Sequence, residues 1–157
     1  MSLSESARAT SAAEARFRLQ APNARPRRLA VIPMDEQARA LAVGLAAQGF
    51  AHTSFVALSE GEEWLAHLAG RTRAVLEAIE AAQTVVLLAT AGAEAALAGT
   101  LAEAARGRTL IGLILDSEGA APEALERSLA ALRPHAAMLV LAEGRDYVAA
   151  MLEALRA

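Results

Sequence analysis

The chain has 157 residues, 55% of them apolar, and a formal net charge of -3; this is room for one domain with a substantial core, and it lacks the positive surplus that a general nucleic-acid binder needs to neutralise phosphates. No uninterrupted apolar run approaches the roughly 20 residues of a membrane span, and the absence of cysteine excludes disulfides, thiolate catalysis and cysteine-bound metals. All 15 basic residues are arginine, a GC-rich coding bias of bacterial appearance, and the expected location is the cytoplasm.

Charge divides the chain. Residues 1 to 28 hold six arginines against Glu5 and Glu14, a net of +4, whereas the remainder holds nine arginines against sixteen carboxylates, a net of -7. Residues 1–27, rich in Ser, Ala, Arg and Pro, read as a flexible basic leader, and 28–157 as a single α/β domain. The leader lacks the continuous apolar region of a secretory signal. Within it Ala15-Arg16-Phe17-Arg18-Leu19 alternates and could add a strand to a sheet edge.

The first core strand is expected at Arg28 to Ile32, closed by Pro33. Asp35 then has the chemistry of a helix N-cap, and Ala38, Leu41, Ala42, Leu45 and Ala46 repeat at helical spacing up to Gly49. Thr53 to Leu58, polar at its start and apolar at its end, reads as an outer strand. Ser59 with Glu62 forms a capping box leading to Trp64, Leu65 and Leu68. Gly70 interrupts that helix, and helical spacing resumes at Val75, Leu76 and Ile79. Trp64 is expected to pack in a core or interface.

Thr84 to Thr100 organises the rest. Val85-Val86-Leu87-Leu88-Ala89 shows no polar alternation, as a strand buried on both faces requires, and it is followed by a turn at Ala91-Gly92 and an alanine-rich helix. Thr109 to Leu115 is another buried-strand run, ending at Asp116. Pro122 suits the first turn of a helix presenting Leu125, Leu129 and Leu132, which stops at Pro134. Met138 to Ala142 and a helix with Val148, Met151, Leu152 and Leu155 inward complete the chain. Five strands alternating with five helices predict right-handed βαβ crossovers and a three-layer α/β/α sandwich of Rossmann-like or flavodoxin-like type, with parallel strands in the order 2-1-3-4-5. The fifth strand would then be an apolar edge, which invites cover from a second copy or from the leader.

In that order a ligand would meet the C-terminal ends of strands 1 and 3, so the candidate ligand-binding residues are Asp35, Glu36, Thr90, Gly92 and Asp116. Their chemistry narrows the options. The Pro33-Met34-Asp35-Glu36 loop has no glycine for a pyrophosphate, and a P-loop lysine is missing because the chain contains no lysine. A phosphoacceptor receiver would use Asp35 and Glu36, but Thr90 stands where its aspartate belongs and Glu143-Gly144-Arg145 where its lysine belongs. Asp35, Glu36 and Asp116 are hard oxygen donors that could gather around Mg²⁺; the competing reading makes Asp35 a cap and Asp116 a strand end. His52, His67 and His135 show no zinc spacing, and no serine sits in a Gly-x-Ser-x-Gly elbow. No catalytic residue, metal or cofactor is assigned.

Read together, several segments resemble the N-terminal GTPase domain of the bacterial tubulin relative FtsZ. They are Leu29 to Ile32, Phe55 to Ser59 with Glu62 to Leu65, Gly70 to Arg73, Ile79 to Gln83 and, above all, Thr84 to Gly92, which is similar to that family's strand before its phosphate loop. The family's G-G-G-T-G-T-G loop is replaced here by Ala93 to Thr100, and its first glycine loop by Pro33 to Glu36. The resemblance therefore implies a degenerate version without GTPase activity, and carries over no site residue. Two functions remain open: a non-catalytic domain acting through protein contacts, as a homodimer or with another protein, and a small-molecule or nucleotide-binding protein using the crevice between strands 1 and 3.

Overall fold

A computed structural model describes residues 25–56, 72–92, 98–116 and 119–156. Five strands, β1 (Leu29–Pro33), β2 (Thr53–Phe55), β3 (Thr84–Thr90), β4 (Thr109–Leu115) and β5 (Met138–Ala142), form one parallel sheet in the order β2-β1-β3-β4-β5. Between and after them lie α1 (Glu36–Ala46), α2 (Thr72–Ala81), α3 (Ala98–Ala104), α4 (Pro122–Leu132) and α5 (Arg145–Arg156). The predicted order and layering are those observed.

All seven residues of β3 are buried, because helices cover both faces of a parallel sheet and each side chain meets a hydrophobic layer whichever way it points. Val86 and Leu88 join Leu29, Val31 and Leu113 in a core closed by Ala38, Ala42 and Leu45 of α1 and Val148 and Leu152 of α5. Val85, Leu87 and Ala89 join Ile32 and Ile114 in a second core, closed by Val75 and Ile79 of α2, Leu101 of α3 and Leu132 of α4. The chain steps one way from β1 to β2 with α1 on one face, then the other way to β5 with α2, α3 and α4 on the opposite face. Crossovers of a single hand require that division.

Local boundaries differ from the sequence expectation in two places. Pro33 belongs to β1, opposite Leu88, rather than ending it; a last strand residue tolerates the missing N–H, and the ladder continues with Met34 N–H donating to Leu88 C=O at 2.7 Å. The second strand stops at Phe55, although Val56 N–H still reaches Val31 C=O at 3.1 Å. Its expected end at Ala57 and Leu58 lies outside the described residues. So do the capping box at Ser59, Trp64, Gly70, His67, the start of the alanine-rich helix at Ala93 and the alternating leader segment.

Two contacts brace the N-terminal ends of the strands. Arg108 caps α2, donating from Nε to Ala82 C=O at 3.0 Å and from Nη2 to Glu80 C=O at 2.9 Å, a favourable place for a cation at a helix C-terminus. Arg27 N–H donates to Arg156 C=O at 2.8 Å, joining the approach to β1 to the end of α5. Among the described residues β2 and β5 are the two edges of the sheet. Met138 and Leu141 of β5 are 40% and 44% exposed, so the apolar outer strand expected from sequence is present.

Candidate functional site

The candidate residues lie along the C-terminal ends of β1, β3 and β4, where the topology switches direction. Asp35 follows β1 and caps α1: its backbone is extended, and its Oδ1 accepts from Ala38 N–H at 2.8 Å. The same carboxylate crosses to β3. Oδ2 accepts from Thr90 N–H at 2.7 Å, and Oδ1 also accepts from Thr90 Oγ1 at 2.9 Å. Asp35 is thus a clamp between two strand ends, and Thr90, 5% exposed, is held beneath it.

A second clamp closes from the other face of the sheet. Ser128, fully buried on α4, accepts from Gly92 N–H at 2.9 Å and donates to Thr90 C=O at 3.3 Å. Between these, Ala91 N–H donates to Leu115 C=O at 3.0 Å. Three consecutive amides at the end of β3 therefore end on a carboxylate, a carbonyl and a hydroxyl of the protein itself. An anion-binding loop works by presenting such amides unpaired to its ligand.

Gly92 is required by geometry. Its φ is +93°, and a β-carbon there would lie 3.2 Å from the Ala124 methyl group on α4. The glycine lets the turn pass close under α4 in a left-handed conformation, which also brings its amide to Ser128.

The remaining candidates stay at the rim. Glu36 is exposed and holds Arg39 through Nε at 2.8 Å and Nη2 at 2.5 Å; that hydrogen bond, with the charge of the same guanidinium, keeps its carboxyl below the usual glutamate range. Asp116 is half-buried, and its N–H donates to Ala142 C=O at 2.8 Å, continuing the β4–β5 ladder. Among the described residues Asp35, Glu36 and Asp116 do not gather into a group able to hold a metal ion. His52 and His135 are exposed and far apart in the chain.

The sequence reading placed Asp35, Thr90 and Gly92 together and missed Ser128. A signal was available: Ser128 falls between Leu125, Leu129 and Leu132 on the inward stripe of α4, where a polar residue needs a buried partner. Also unforeseen is a cavity of about 350 Å³ at the opposite ends of the strands, lined by Arg28, His52, Thr53, Ser54, Ala78 and Ala82 among others. No helix among the described residues is long and apolar enough to cross a membrane. No protein-family model matches the chain, and no curated protein matches it.

Proposed function

We propose that this chain is a non-catalytic α/β domain of the bacterial cytoplasm that acts through protein–protein contacts, as a homo-oligomer. The observation that carries the reading is the use of the Thr90, Ala91 and Gly92 amides inside the protein. A phosphate seated at the switch point would have to take these amides from Asp35, Leu115 and Ser128 and face the Asp35 carboxylate, and each buried polar group left without its partner costs about 1–3 kcal/mol. Under the resemblance to FtsZ the domain is a degenerate relative, in which the strand that would lead into the phosphate loop ends on amides held by Asp35, Leu115 and Ser128.

The test is a thermal shift of the purified 157-residue chain against nucleotides, flavins, sugar phosphates and Mg²⁺, together with a GTP hydrolysis assay. No shift and no turnover are expected. A ligand bound at 100 times its Kd adds about 2.7 kcal/mol, which raises the melting temperature of a domain this size by roughly 5–10 °C. A shift of that size, abolished by altering Glu36 or Asp116, would replace this reading with the small-molecule one. GTP turnover above background would end it as well.

A further inference from the structure

We infer that two copies of this chain join edge to edge through β5, antiparallel about a two-fold axis at Val140, so that the two sheets become one; the inference rests on the protein-contact reading above and names its surface. The argument begins with which way the backbone of β5 points. Asp116 N–H and Leu110 C=O address the β5 side, while Thr109 N–H and Leu115 C=O address β3. Even-numbered residues of β4 therefore serve β5. With Leu115 opposite Ala142, and Asp116 N–H donating to Ala142 C=O, it is Val140 and Ala142 that answer β4. Alternate residues of a strand turn the other way, so Leu139 and Leu141 present their N–H and C=O groups to the side away from β4, where no strand among the described residues pairs with them.

That pattern is self-complementary in one register. Pairing Val140 with its own copy sets Leu139 against the partner's Leu141 and Leu141 against the partner's Leu139, and these are the residues whose polar groups point outward. Each such pair exchanges both of its backbone hydrogen bonds, and the Val140 pair lies between them as a close, non-hydrogen-bonded pair. Sheet faces stay matched as well. Leu139 packs against the core on the α4 face, and the exposed Leu141, two residues on, shares that face and would gain the partner's Leu139 as a neighbour.

Two further observations favour a second copy as occupant. The strand Met-Leu-Val-Leu-Ala carries no charge, proline or bulge to protect the edge, the devices that keep an unpaired strand monomeric. Its flanks are oppositely charged: exposed Arg133 and His135 precede β5, whereas exposed Glu143 and Asp146, with Arg145 between them, follow it. Antiparallel pairing sets the positive end of one copy beside the negative end of the other. Parallel pairing would set like beside like.

The test uses the 157-residue chain, in which Val140→Cys introduces the sole thiol. Light scattering should give twice the mass of one chain, and Leu141→Lys should weaken the dimer at least tenfold with an unchanged circular dichroism spectrum. Mild oxidation should cross-link Val140→Cys quantitatively, because non-hydrogen-bonded antiparallel neighbours have α-carbons about 4.5 Å apart, within disulfide reach. The exposed Val43→Cys on α1 should stay uncoupled. A dimer that ignores Leu141→Lys and leaves Val140→Cys uncoupled would overturn this interface while the protein-contact reading stands. A ligand-induced thermal shift in a dimer that does cross-link would do the reverse. A monomer with slow amide exchange at Leu139 and Leu141 would also overturn it, showing the edge covered from within one chain.

Discussion

A carboxylate that accepts three hydrogen bonds has little left to offer a ligand, and Asp35 is in that position. Its type and place were legible from sequence: an aspartate after a strand and before a helical repeat is a cap. Its second role was not, because nothing in residues 33–38 announces that Thr90, 55 positions away, will present both an amide and a hydroxyl to it. Ser128 and Gly92 have the same character, joined across 36 positions. These bonds make the switch point a structural joint whose loss is measurable. Ser128→Ala leaves the Gly92 amide without its partner and should cost about 1–3 kcal/mol. Asp35→Ala removes a cap and two cross-strand bonds, and should cost about 2–3 kcal/mol. Urea unfolding of both variants gives the answer. A Ser128→Ala chain as stable as its parent would show that the turn amides can be released cheaply, and would reopen the site to anions.

At the scale of elements, what was legible is what periodicity encodes. The strands lack alternation and the helices repeat at three and four, so identity and order followed from pattern. Inter-element fit was not encoded so openly. Gly112 reads from sequence as a gap in an apolar run, yet in β4 its missing β-carbon is where the Leu139 side chain of β5 lies, with Leu132 of α4 3.3 Å from the same point. The glycine thus lets the fifth strand and the fourth helix interlock over the sheet. Gly112→Ala should destabilise the domain by about 1–3 kcal/mol, the usual cost of overfilling a packed core. Shortening Leu139 to alanine should recover part of that loss, because the clash is with the far end of its side chain. A double-mutant cycle by thermal denaturation measures the coupling, and additive losses would show that the strain falls on Leu132 or on the backbone instead.

For the whole molecule, the order of strands could be read because burial, crossover hand and the polar start of β2 agree on one arrangement. The nature of the site could not. Its closure is made of backbone amides held by an aspartate, a carbonyl and one serine, groups every protein has, and only their meeting in space gives them meaning. One further contact has a consequence for the molecule's outline. Arg27 N–H and Arg156 C=O are bonded at 2.8 Å, so the polypeptide enters and leaves the domain at one spot, on the side away from the switch point. A short loop sewn from 156 to 27 would turn the domain into a ring, leaving an exposed turn such as Gly119 free to become the place where a rewired chain starts and stops. Anything tethered to either end of the domain is joined to it at the same corner, as a pendant to a clasp.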